Sequence, residues 1–93
     1  QPIVDADDDA ESIFNVMAYP NPYYNSFNLE IESDFDLPVT IAIYDMNGRM
    51  VEIYQDVDPL GLPEMGQNLA NGMYMVTVNQ AGHTEVIKVN KTN

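Results

Sequence analysis

The run from Ile41 to Val51, Ile-Ala-Ile-Tyr-Asp-Met-Asn-Gly-Arg-Met-Val, reads as strand, turn, strand. Ile41 and Ile43 alternate with Ala42 and Tyr44, the period of two that sends successive side chains to opposite faces of a sheet. Asn47-Gly48 suits positive φ at both central positions of a type I′ turn, so a tight two-residue hairpin is expected. Val51 and Ile53 resume the alternation and are expected on the buried face of the return strand, with Glu52 and Tyr54 on the other.

The same alternation organises the rest of the chain, and helical periodicity is absent. Ile13 to Tyr19 makes a first short strand that stops at Tyr19-Pro20-Asn21-Pro22, where two prolines fix φ and remove two backbone donors. Phe27, Leu29 and Ile31 alternate with Asn28, Glu30 and Glu32, which predicts one apolar and one acidic face. Ser33 to Pro38 is a turn region, and Val39, Ile41 and Ile43 are the next inward set. From Gln55 to Gly72 loop residues dominate, with Leu60, Leu62, Met65 and Leu69 expected to anchor a short irregular strand. Tyr74, Val76 and Val78 alternate with Met73, Met75 and Thr77, Gln80-Ala81-Gly82 makes a turn, and Glu85, Ile87 and Val89 mark a closing strand. These features predict an all-β protein, an Ig-like β-sandwich of about seven short antiparallel strands. Met46, Met50, Met65, Met73 and Met75 are expected chiefly as adaptable core fillers, a contact surface being the other reading.

Charge divides the chain. Of its 93 residues 15 are acidic and 3 basic, for a net charge of -12, and Asp5, Asp7, Asp8, Asp9 and Glu11 crowd the start. Residues 1–12 are expected to be an acidic linker and residues 13–93 a single domain. Asp5, Asp7 and Asp9 share the opening spacing of an EF-hand calcium loop, but Ala10 and Val16 stand where that loop needs Gly and Glu. Arg49, Lys88 and Lys91 are too few to track a phosphate backbone or an anionic bilayer, which excludes nucleic-acid and lipid-surface binding. Without cysteine there is no disulfide, thiolate metal site or Cys nucleophile. No apolar run approaches the ~20 residues of a membrane-spanning helix. Gln1 is neither an initiator nor the start of a signal peptide, so the chain is expected to be part of a longer precursor.

Catalytic candidates are sparse. The single histidine, His83, falls at a turn-to-strand boundary, a surface position. Ser12, Ser26 and Ser33 lack a nucleophile-elbow motif. Glu30 and Glu32, two residues apart on one strand face at ~6–7 Å, have a separation within reach of glycosidase chemistry, yet an acidic solvent face produces the same spacing. Gly61 and Gly66 lack the lysine of a phosphate loop. No enzyme activity, metal or cofactor is expected.

Four landmarks stand in order: Tyr19-Pro20-Asn21-Pro22; Ile43-Tyr44-Asp45-Met46-Asn47-Gly48-Arg49-Met50-Val51; Leu69-Ala70-Asn71-Gly72-Met73-Tyr74-Met75-Val76; and Lys88-Val89. In this order the chain resembles the type A C-terminal sorting domain of type IX secretion (Por secretion system) cargo proteins of Bacteroidota, over about residues 17 to 91. The resemblance implies an Ig-like sandwich that carries no catalysis. It implies a signal borne by a larger cargo protein, which passes through the periplasm and is recognised by the outer-membrane translocon and its shuttle protein. Removal by a sortase-like signal peptidase then leaves the cargo secreted or at the cell surface. By motif correspondence Pro20, Asn21 and Pro22 match the opening motif, Gly48, Arg49 and Val51 the Gly-Arg-x-Val element, and Gly72, Tyr74 and Val76 the Gly-x-Tyr element. The candidate recognition residues are these prolines with Asn21, Gly48, Arg49, Gly72 and Tyr74, joined by Lys88 and Lys91. Gly48 is expected to serve backbone geometry, Tyr74 packing, and Arg49 either a partner or a local salt bridge. An Ig-like accessory domain binding carbohydrate or protein is the alternative reading.

Overall fold

A computed structural model describes residues 13–93; the acidic leader and the calcium-loop reading lie outside the described residues. Every regular element among these is a strand: β1 (Phe14–Tyr19), β2 (Asn28–Ser33), β3 (Val39–Asp45), β4 (Met50–Val57), β5 (Gly72–Gln80) and β6 (His83–Lys91). All pairings between them are antiparallel, in a two-stranded sheet β1-β2 and a four-stranded sheet of order β4-β3-β5-β6. Leu29, with Val16 and Ile31 beside it, faces Ile41, Ile43, Val76 and Val78 across a single core, so the architecture is sandwich-like as the alternation predicts. The strand count is six instead of about seven. Between Gln55 and Gly72 only Met65 pairs, as an isolated bridge in which Phe27 and Met65 exchange both backbone hydrogen bonds (3.0 and 2.9 Å).

The central hairpin forms, with a different turn. Gly48 has φ +86°, whereas Asn47 is not among the residues of positive φ. The Gly48 amide donates to the Asp45 carbonyl (3.0 Å) and the Asp45 amide to the Arg49 carbonyl (2.9 Å). This is the three-residue loop in which a tight turn is followed by a left-handed glycine and a bulge. The Asp45 carboxylate decides it, accepting the amides of Asn47 and Arg49 at 2.9 Å each.

Faces on the return strand are set by a second irregularity beyond the turn. Tyr44 pairs with Met50 but Ile43 with Glu52, so β4 carries one extra residue there. The slip reverses the expected sides. Glu52 and Tyr54 lie opposite the buried Ile43 and Ile41, while Ile53 lies opposite Ala42 and is exposed. A true two-residue turn of the mirror-image kind sits elsewhere, at Ala81-Gly82, where φ is +54° and +83° and Gln80 pairs with His83.

Gln80 is therefore the last inward residue of β5 and is fully buried. Its carboxamide accepts the Ser33 hydroxyl (2.6 Å) and donates to the carbonyls of Phe35 (3.3 Å) and Leu37 (2.7 Å). That fastens the β2–β3 connection to the four-stranded sheet and leaves none of its polar atoms orphaned. Of the methionines expected in the core, only Met65 is fully buried; Met46, Met50 and Met73 are exposed.

Candidate functional site

The motif residues are scattered through 72 positions, from Pro20 to Lys91, yet register brings them to one end of the four-stranded sheet. Met50, Tyr44, Met75 and Lys88 form one row across β4, β3, β5 and β6. One residue further along, Asp45 pairs with Tyr74 and Tyr74 with Val89, and beyond them Gly72 pairs with Lys91. The Gly48-Arg49 tip caps the β3–β4 side of this pole.

The corner Pro20-Asn21-Pro22, whose two X-Pro peptide bonds are both cis, closes the β6 side. The Asn21 carboxamide donates to the Lys88 carbonyl (2.8 Å) and accepts the Asn90 amide (3.0 Å), standing in for a residue of a neighbouring strand. The Tyr23 backbone continues the pairing, its amide donating to the Asn90 carbonyl and its carbonyl accepting the Thr92 amide, both at 2.9 Å. Four outward-facing polar groups on an edge strand are thus satisfied by a segment that prolines prevent from being an ordinary strand.

Behind the corner lies a tyrosine cluster. The Tyr23 ring is 1% exposed, packs on Phe27 at 5.1 Å, and donates its hydroxyl to the Gly66 carbonyl at 3.1 Å. Gly66 has φ +81°, and a Cβ placed on it lies 2.5 Å from the Tyr23 hydroxyl oxygen and 3.0 Å from Phe27. Only glycine fits, for both conformation and space. The Tyr54 hydroxyl donates to the Glu52 carboxylate (2.8 Å) and the Tyr74 hydroxyl to the Ala70 carbonyl (2.6 Å). The latter is a Tyr-to-upstream-backbone bond of the kind found at the corners of Ig-like sandwiches. Burial pushes the Tyr23 hydroxyl up to about 12, with Tyr74 and Glu52 adding to it. Tyr54 also rises to about 12, first through burial and then through its bond to Glu52. The Lys91 ammonium stands 5.8 Å from the centre of the Tyr23 ring.

Arg49 is the exposed member. Its Nε contacts the Asp45 carboxylate at 3.2 Å while the side chain is 79% exposed. The Arg49 backbone amide, foremost, then the Asn47 amide and the Arg49 charge hold the Asp45 carboxyl below its usual value. Arg49 therefore has a salt bridge, and its two terminal amino groups make no hydrogen bond among the described residues.

Sequence reasoning singles out eight residues that lie on the exterior of this pole, with Tyr74 as a packing residue. It missed Tyr23, Gly66 and Asp45, which hold them. Asp45 carried a local signal, an acid two and four residues before turn amides; the Tyr23–Gly66 contact spans 43 positions and carried none. Away from the pole, His83 stacks on Phe35 at 5.0 Å with Phe14 at 6.1 Å, and Glu30 and Glu32 are exposed. No group of three or more potential metal ligands occurs among the described residues, and none of their elements is a helix able to cross a membrane.

A family model described as the secretion system C-terminal sorting domain matches residues 17–91. No curated protein and no solved structure matches the chain.

Proposed function

We propose, from the premise that the chain belongs to the secretion system C-terminal sorting domain family, that this folded domain directs a preceding cargo protein through the type IX outer-membrane translocon. The observation that carries the reading is convergence. Pro20, Asn21, Pro22, Gly48, Arg49, Gly72, Tyr74, Lys88 and Lys91 come from four separate stretches of chain and share one pole, built by long-range hydrogen bonds. A linear signal needs no such construction; a surface read in the folded state does.

Within that pole the roles divide. Asn21, Gly72 and Tyr74 build the surface, while Arg49 and Lys88 present charge from it. The shuttle protein and translocon engage the pole after passage through the periplasm. A sortase-like peptidase then removes the domain, and the cargo is released or retained at the cell surface.

A reporter carrying a Sec signal and this domain at its C-terminus tests the reading. Export to the medium or surface in a type IX-competent strain, with retention in a strain lacking the translocon, is expected. Equal periplasmic retention in both strains refutes it. A secreted reporter that keeps the domain attached refutes the cleavage step alone.

A further inference from the structure

The outward face of the four-stranded sheet is apolar where a sandwich of this kind ordinarily carries polar side chains. Its first row holds Met50, Tyr44, Met75 and Lys88, and the second Ile53, Ala42, Thr77 and Val86. Met46, Met50, Ile53, Met73 and Val86 are each 41–58% exposed. Single exposed apolar residues are ordinary, but a contiguous set is the mark of a contact surface. Four of the six methionines lie here, flexible side chains that adapt to a partner's shape. Tyr44, Met46, Met75, Val86 and Lys88 line a shallow concavity of about 610 Å3.

Charge points to what covers it. On β5 and β6 the outward positions carry no carboxylate, and on β4 Asp56 stands at the far end from the tip, although the chain has 15 acidic residues against 3 basic ones. Lys88 stands on the face and Arg49 at its tip, with Asp45 committed to the turn amides. An acidic partner is repelled by much of the molecule and finds two of its three basic residues here. The free end of the Arg49 guanidinium, oriented through Nε by Asp45, suits a carboxylate taken end-on.

We infer that this methionine face is the docking surface for a protein partner that presents an apolar ridge flanked by carboxylates, one contacting Arg49 and another Lys88. A second copy stacked face to face offers these two cations, from its own outward strand positions, the single carboxylate of Asp56. A bilayer with anionic headgroups is opposed by the net charge of -12. The inference rests on the sorting reading, since it names the surface and partner chemistry through which the domain is exported.

The test uses the Sec-reporter fusion in the type IX-competent strain, with the melting temperature of each purified domain measured in parallel. Met75→Glu with Val86→Glu places carboxylates on the face, Arg49→Glu with Lys88→Glu reverses its cations, and Met17→Glu alters the opposite sheet. Both face variants are expected to cut export by about tenfold or more at an unchanged melting temperature, with Met17→Glu within about twofold of wild type. If Met75→Glu with Val86→Glu disturbs folding, the charge-reversal pair, on exposed side chains, decides. Wild-type export with normal export of the charge-reversal pair overturns the inference and leaves the sorting reading standing. Absence of wild-type export overturns both. Sedimentation showing a wild-type dimer that Met75→Glu disperses assigns the face to a second copy and overturns the partner.

Discussion

Gly48 and Gly66 share a backbone conformation, φ +86° and +81°, but differ in surroundings, and alanine at each position separates strain from space. Around Gly48 nothing lies within 4 Å of an added Cβ. Gly48→Ala therefore costs about 1 kcal/mol, the left-handed penalty alone. At Gly66 the same penalty applies, and the Cβ arrives 2.5 Å from the Tyr23 hydroxyl oxygen, 2.9 Å from its Cζ and 3.0 Å from Phe27 Cε1. Tyr23 is fully buried and cannot swing into solvent. It must shift within the core, at about 1–3 kcal/mol for overpacking, and its bond to the Gly66 carbonyl weakens, at about 1 kcal/mol. Gly66→Ala should cost about 3–5 kcal/mol, much of the ~5–15 kcal/mol available to a small domain. Urea denaturation followed by far-UV circular dichroism reads both, and with m of ~1 kcal/mol/M the two midpoints should differ by about 2 M or more. Tyr23→Phe in the Gly66→Ala background removes the closest atom and should recover part of the loss, a coupling that a double-mutant cycle isolates. Equal midpoints for Gly48→Ala and Gly66→Ala would refute the reasoning, because conformation would then explain everything and packing nothing.

Further outcomes follow from other positions. Ala81→Gly relieves a left-handed alanine at a turn and should raise stability by about 1 kcal/mol in the same denaturation assay. Raised tyrosine values stabilise the protonated, folded form below the unfolded value of 10 and withdraw that stability as pH climbs toward about 12. Titration should therefore show stability falling between pH 10 and 12, by about 2 kcal/mol for Tyr23, and Tyr23→Phe should flatten the fall. Arg49→Ala should lower reporter export while the melting temperature stays within about 2 °C, since an exposed ion pair contributes little. Asn21→Ala should lower both together, with about 1–2 kcal/mol lost from two edge hydrogen bonds.

Strand content was open to reading because large apolar side chains recur at every second position along Phe27–Ile31, Val39–Ile43 and Tyr74–Val78, the period of a strand. Turn type was not, because it depended on where one carboxylate points. Asp45 takes the amides of Asn47 and Arg49 and the loop lengthens by one residue, and a separate bulge between Met50 and Glu52 then brings Tyr54 into the core in place of Ile53. Gln80 was similarly hidden: a polar residue beside Ala-Gly resembles turn, and only Ser33, Phe35 and Leu37, more than forty positions away, give it reason to be buried. At the candidate site, motif order located the exterior residues, whereas the contacts that assemble them join positions too distant for local pattern to reveal.

The Asn21 clamp has a temporal consequence. Its partners are Lys88 and Asn90, 67 and 69 positions later, and Tyr23 waits for Thr92. The proline corner is synthesised early and satisfied last. Contacts of such separation close slowly, since a long loop must lose its freedom before anything is gained. The pole thus matures only after β6 has been made and paired, and a chain cut short before Lys88 presents the opening motif without the surface it helps to form.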